Sequence, residues 1–97
     1  MNLVGRKQLL EFVRKHADAR NWIATWLAET KAANWRTSQD IKARYRSASF
    51  LAENVVIFNV KGNRYRLEVQ VSYGLGVVMV RHIETHADYT RRISRGR

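Results

Sequence analysis

Two short stretches hold the side chains best suited to chemistry. The first carries Lys61, Arg64 and Arg66 within six positions. If that stretch is a strand, the two-residue spacing places Arg64 and Arg66 on one face. A guanidinium fork pairs two-pronged with phosphate oxygens, so such a cluster can bind a phosphate and stabilise negative charge building on it. The plain alternative is a solvated hairpin tip. The second stretch is Thr85-His86-Ala87-Asp88-Tyr89. A histidine changes charge near neutral pH, so His86 can give or take a proton there. Tyr89 follows one helical turn later and can face the same cleft, to stack on a base or donate a proton. Their alternatives are a helix-start residue and a packed core ring. Thr85 and Asp88 form a T-x-x-D capping pattern, so Thr85 is read first as a helix cap and only then as a site residue. Gly62 and Asn63 are read first as turn formers, with nucleotide contact by Asn63 secondary. His82, on the segment before, ranks below His86.

The charge of the whole chain says what such a site would meet. The 97 residues carry 18 Lys and Arg against 8 Asp and Glu, a formal net charge of +10. An excess of this size implies a polyanionic partner. Thirteen of the eighteen cations are Arg, which favours nucleic acid over a membrane surface. The longest apolar runs, such as 55–58 and 77–80, fall far short of the roughly 20 residues a spanning helix needs. Arg6, Lys7, Glu11 and Arg14 interrupt any signal-peptide core. With no cysteine there is no disulfide, thiolate metal site or Cys nucleophile, and a reducing cytoplasm suits the chain. His16, His82 and His86 are too few and too scattered to suggest a metal site, and no metal or other cofactor is expected.

The elements that must position these residues can be read from period and punctuation. Length favours one domain over 1–97. Residues 1–4 read as a short strand, with Gly5 as the break before a helix over about 6–16 whose apolar face is Leu9, Leu10, Phe12 and Val13. Asp18 reads as the N-cap of a second helix reaching about Ala33, with Trp22, Ile23, Trp26 and Leu27 as its buried stripe. The Trp pair is core far more readily than a base-stacking platform. Ser38, Asp40 and Ile41 start a short helix that ends near Tyr45, in a segment bearing Arg44 and Arg46. Then the period changes to two. Val56, Phe58 and Val60, the turn Lys61-Gly62-Asn63, and the alternation from Tyr65 to Tyr73 make a hairpin, and Gly74-Leu75-Gly76 turns the chain into a third strand over 77–83. A short helix opens at Thr85, and the chain closes on Arg91, Arg92, Arg95 and Arg97. The expected fold class is α+β, a small antiparallel sheet with both long helices on one face, in the order β-α-α-short α-β-β-β-short α. The other face of the central strand takes Arg64, Arg66, Glu68, Gln70 and Ser72, polar and cationic at one end.

Residues 55–67, Val-Val-Ile-Phe-Asn-Val-Lys-Gly-Asn-Arg-Tyr-Arg-Leu, followed by 83–89, Ile-Glu-Thr-His-Ala-Asp-Tyr, resemble the HigB-like toxins of the RelE superfamily. The likeness extends more loosely over the helical first half and the Ala33-Asn34-Trp35 stretch. The chain departs from the pattern twice. It has no Pro between Ala43 and Phe50, where family members commonly carry one, and Thr90 stands where an Asp often follows the Tyr. The resemblance implies a RelE-like fold and a ribosome-dependent endoribonuclease cutting messenger RNA in the ribosomal A site. It also implies neutralisation by a HigA-like helix-turn-helix antitoxin, through which alone the toxin would meet operator DNA.

RNA cleavage without a metal needs a base for the ribose 2′-OH, cations for the phosphorane and an acid for the departing 5′-oxygen. Lys61, Arg64 and Arg66 are expected to hold the phosphate, with His86 and Tyr89 for acid–base work. Arg44, Arg46, Asn63, Thr85, Arg91, Arg92 and Arg95, with Arg97, are assigned to contacts with message or 16S ribosomal RNA. Two rivals share the charge: a non-catalytic RNA- or DNA-binding module, and a scaffold subunit docking an acidic protein. Against the first, Tyr65 and Tyr73 fall on the apolar strand face, so the exposed face lacks stacking aromatics. All of these site assignments require the hairpin tip and the His–Tyr turn to converge on one groove.

Overall fold

The computed structural model describes residues 1–96. Its elements are β1 (Asn2–Val4), α1 (Arg6–Lys15), a 3₁₀ turn (Ala17–Ala19), α2 (Arg20–Ala32), α3 (Ser38–Arg44), β2 (Ser49–Leu51), a second 3₁₀ turn (Ala52–Asn54), β3 (Val55–Val60), β4 (Tyr65–Ser72), β5 (Val77–Thr85) and α4 (His86–Ser94). The sheet has five strands in the order β1-β5-β4-β3-β2. The expected meander β3-β4-β5 is antiparallel throughout, and β1 adds to its β5 edge in parallel, so the sheet is mixed. The far edge strand, β2, pairs with β3 over Ser49–Leu51. Three residues are too short a run to show a period, which is why the sequence reading missed it.

Alternation decides which side of the sheet the helices cover. Val56, Phe58 and Val60 of β3, Tyr65, Leu67, Val69 and Val71 of β4, and Val78 and Val80 of β5 are buried in one cluster with Leu9, Val13, Ile23, Trp26, Leu27 and Ile41 of the helices. Trp26 is fully buried and meets Phe58 edge-on, so the Trp stripe of α2 is core at this position. Gly5 makes the tight junction between β1 and α1. Its φ is +99°, and a Cβ there would lie 2.8 Å from the Val80 Cβ, so neither conformation nor space admits a side chain.

Helix starts follow the sequence at two places and depart at a third. Thr37 and Asp40 form a reciprocal capping box on α3, and the Thr85 hydroxyl accepts from the Asp88 amide at 3.1 Å to open α4. Asp18, expected to cap α2, lies instead in the 3₁₀ turn before it, and Ala19 takes the cap position. The Asp18 carboxylate is engaged elsewhere, by the Tyr65 phenol and the Arg64 guanidinium, each at 2.6 Å. Two charge-assisted bonds across the fold outcompete one local cap bond.

Candidate nucleic-acid interface

The face of the sheet turned away from α1 and α2 is where the chemistry-bearing residues gather. Alternation sends Arg66, Glu68 and Gln70 of β4 there. A bulge between Glu68 and Val69 pairs Glu68 with His82 and Val69 with Val80, leaving Arg81 as the extra residue on β5. Arg81 thereby joins His82 and Glu84 on this face, where its Nη1 donates to Gln70 Oε1 at 3.0 Å and its Nε lies 3.9 Å from Glu68 Oε2. The strand alternation gave no sign of this pairing, because a bulge is a defect in register and leaves no mark on hydropathy.

Helix α4 lies across this face, and Arg92 ties it to the sheet by ion pairs. Arg92 Nη2 reaches Glu68 Oε1 at 3.0 Å and Glu84 Oε1 at 2.6 Å, and its Nε donates to the same Glu84 oxygen at 2.8 Å. Glu68 is 3 % exposed. Burial by itself would lower the Arg92 pKa, but the hydrogen bonds it donates to Glu84 and Glu68 outweigh that and raise it, so the guanidinium stays charged. Arg92, expected to contact RNA, thus has its Nε and Nη2 engaged by two carboxylates. His82, facing Glu68, is held below its ordinary pKa first by burial and then by the Arg92 charge.

The hairpin tip and the start of α4 do meet. Tyr65 pairs with Thr85 across the strands, and the His86 amide donates to the Arg64 carbonyl at 2.9 Å. Tyr89 lies between two guanidiniums, with the Arg66 Cζ 5.8 Å and the Arg92 Cζ 5.5 Å from its ring centre. Thr90 Oγ1 lies 3.3 Å from His86 Nδ1, which leaves Nε2 as the nitrogen open to an outside group. Arg66 and Tyr89 thus meet at the rim of the face, and His86 opens the same helix with its amide on the hairpin tip. A cleft of about 530 Å³, lined by Leu51, Ala52, Glu53, Val55, Glu68 and Arg81, continues from the ion-pair cluster toward β2.

The expected trio of cations is divided. Arg64 precedes β4, in the turn after Lys61, and its guanidinium turns to Asp18 on the helix side. Lys61, with a φ of +55°, lines a separate helix-side cavity with Arg44. Arg64 and Arg66 therefore do not lie side by side: Arg64 is the last residue of the turn, outside the strand alternation that orients Arg66, and Asp18 supplies its counter-charge. The sequence signal that could have found this is Asp18 itself, one of only eight acids in the chain.

The remaining cations are spread. Arg44 is paired with Glu29 at 2.8 Å and stacked over Tyr45 at 4.8 Å on the helix side, whereas Arg46 and Arg95 are exposed and make no ion pair among the described residues. Arg91 is paired with Asp88 at 3.0 Å, one turn back on α4, and remains 62 % exposed. Asn63 is exposed at the hairpin tip, and the Thr85 hydroxyl serves as the cap of α4. Arg97 lies outside the described residues.

A family model spans most of this architecture. That of the HigB toxins, described as the RelE-like toxic component of a toxin-antitoxin system, matches residues 19–92. The chain belongs to this family. It is the toxic half of a two-component system whose other half is an antitoxin, and the α+β sheet with its four helices is a RelE-like toxin fold. The matched span begins at the end of the Asp18 turn and ends at Arg92, so it includes both the hairpin tip and the His86–Tyr89 turn of α4. No curated protein matches the chain. Among the described residues, no helix is long and apolar enough to cross a membrane.

Proposed function

We propose that this HigB-family toxin is a metal-independent endoribonuclease that cuts messenger RNA on the ribosome in the cytoplasm and is neutralised by a HigA-like helix-turn-helix antitoxin. The observation that supports the reading is the contact of Arg66 with Tyr89, together with the backbone bond from His86 at the start of the same helix to the hairpin tip, inside the span that matches the toxin family. A cation and two groups able to move protons, an imidazole and a phenol, can fill the roles that in-line attack of a 2′-OH requires.

In this mechanism Arg66 binds the scissile phosphate and stabilises the charge on the phosphorane. His86 takes the 2′-OH proton through Nε2 as that oxygen bonds to phosphorus, and Tyr89, beside Arg66 and Arg92, gives a proton to the 5′-oxygen as its bond to phosphorus breaks. Lys61 grips the message on the other side of the hairpin tip, with Asn63 beside it, and Arg64 joins them once its pairing with Asp18 gives way to phosphate. Arg46, Arg91 and Arg95 contact ribosomal RNA, where the decoding centre presents the message already partly oriented, which is how so small a domain can suffice. Arg44 joins them once its pairing with Glu29 gives way to phosphate. Operator DNA is met only through the antitoxin.

The test is induction in a bacterial host with mapping of message ends. Cuts that appear within translated messages and vanish when translation of a given message is blocked support the reading. Growth arrest with intact messages would overturn it in favour of a non-catalytic basic RNA- or DNA-binding module.

A further inference from the structure

On the opposite side of the hairpin tip, the sheet's helix layer opens into a second cavity, rimmed by Lys61 and Arg44, whose aromatic and polar wall the catalytic proposal leaves unused. It has a volume of about 350 Å³, and the residues that matter to its chemistry are Asn21, Trp22, Thr25, Arg44, Tyr45 and Lys61. We propose that this cavity is a nucleotide subsite that takes one unpaired base and its phosphate from a single-stranded RNA passing over the hairpin tip.

The composition of the wall argues for that ligand. Trp22 and Tyr45 are each only partly buried, with ring centres 6.0 Å apart and tilted by 55°, and the Arg44 guanidinium lies over the Tyr45 ring at 4.8 Å, so the wall offers aromatic surface beside a cation rather than a closed stack. Unpaired bases bind such surfaces irrespective of sequence, because every base has a π-face. Asn21 and Thr25 lie one helical turn apart on α2, both exposed and neither with a side-chain hydrogen bond among the described residues, which leaves an amide and a hydroxyl available for a base edge.

The charges at the rim sort themselves in the same direction. The two acids nearby are already committed, Asp18 to Tyr65 and Arg64, and Glu29 to Tyr45 and Arg44. Lys61 makes no ion pair among the described residues, so the cavity keeps an uncompensated cation beside its aromatic wall. Size points the same way. The volume lies near the low end of the roughly 300–1,000 Å³ of small-ligand sites, enough for a base and sugar and too little for the apolar face of a partner helix. Lys61 stands at the tip that also borders Arg64 and Arg66, so an RNA strand held at the Arg66 rim needs only to round the tip to reach the cavity. The inference rests on RNA as the ligand of this toxin but not on its cleavage.

Nuclear magnetic resonance on the intact protein tests it, with 5′-AMP and a single-stranded trinucleotide as probes. The expected result is a saturable shift of the Trp22 indole and Asn21 side-chain amide signals, tighter for the trinucleotide. Trp22→Phe, which keeps a ring against Tyr45, and Asn21→Ala, an exposed change, should each weaken that binding about fivefold or more. Shifts confined to the Arg66, His86 and Tyr89 rim, or affinities that neither substitution alters, would overturn the subsite. Should Asn21→Ala or Trp22→Phe instead abolish neutralisation by a partner protein while nucleotide binding stands unchanged, the surface is a protein dock and the assignment is wrong. Message cutting in a translating extract separates this from the nuclease proposal. Cutting without any cavity shift sinks the subsite alone, whereas the expected shifts without cutting leave the subsite standing and sink the nuclease.

Discussion

At the scale of single residues, roles divide by what each side chain already touches. Arg66 is half-buried, stacks on Tyr89 and makes no ion pair among the described residues, so its charge is available to an incoming phosphate. Arg66→Ala should lower cleavage about 10²- to 10³-fold, as expected for loss of one positioned charge on a developing anion, with the circular dichroism spectrum unchanged. A folded variant that still arrests growth at full potency would remove Arg66 from the site. His86→Gln should cost about 10²- to 10⁴-fold in single-turnover cleavage if the imidazole moves a proton. Arg64, by contrast, is tied to Asp18. Asp18→Asn breaks the charge pairing but keeps a group that can accept from Tyr65, and it should free Arg64, tightening RNA binding at low salt.

At the scale of elements, the question is what holds α4 against the sheet, since His86 and Tyr89 ride on it. The helix is short, and none of its described residues is buried, so a hydrophobic face cannot anchor it. Arg92 does so through Glu68 and Glu84. Arg92→Ala should cost about 1–3 kcal/mol in urea denaturation, the usual loss when a buried hydrogen-bonding group loses a charged partner. It should also cut activity by more than that stability loss explains, because the His86–Tyr89 turn loses its support. Glu84→Gln, which keeps a hydrogen-bond acceptor, should be milder in both measurements. At the other end of the sheet, Gly5→Ala should destabilise the fold by a few kcal/mol, since it combines an unfavourable positive φ with an overlap on Val80.

Across the whole molecule, charge sets both partner and pH response. His82 is held below its ordinary pKa in the folded state, so the unfolded chain binds more protons just below that value. Stability is therefore full above about pH 6.5 and is lost as pH falls through the depressed pKa. Asp18 and Glu29 add the same sign at lower pH. Tyr65 and Arg64 hold the Asp18 carboxyl below its usual range, and Tyr45 and Arg44 do so for Glu29, so stability present above the ordinary carboxylate pKa is lost as acid protonates them. Thermal unfolding from pH 8 to 4 should show a falling melting temperature, and His82→Asn should flatten the first part of the decline. RNA affinity should fall steeply and linearly in log–log form as salt rises, and a flat response would contradict a phosphate-dominated interface.

How much of this was legible beforehand depends on the distance over which each signal acts. The helices at 6–15 and 20–32, the hairpin, the cap at Thr85 and the polar outer face of β4 all follow from spacings within one segment, which the chain carries whatever its surroundings. The net charge of +10 likewise needs no coordinates. The same local patterns, by resemblance, indicated the family. Which cations are free was another matter. Arg64 and Arg92 look as available as Arg66 in the sequence, but Asp18 is 46 positions from Arg64 and Glu68 is 24 from Arg92. The bulge that brings Arg81 and His82 onto one face, the parallel pairing of β1 and the three-residue β2 are equally products of register between strands. An ion pair forms where two charges meet in space, and hydropathy along a chain contains no measure of that distance. The sequence determined the elements and the electrostatic character of the partner; only the tertiary fold decided which arginines remain to meet it.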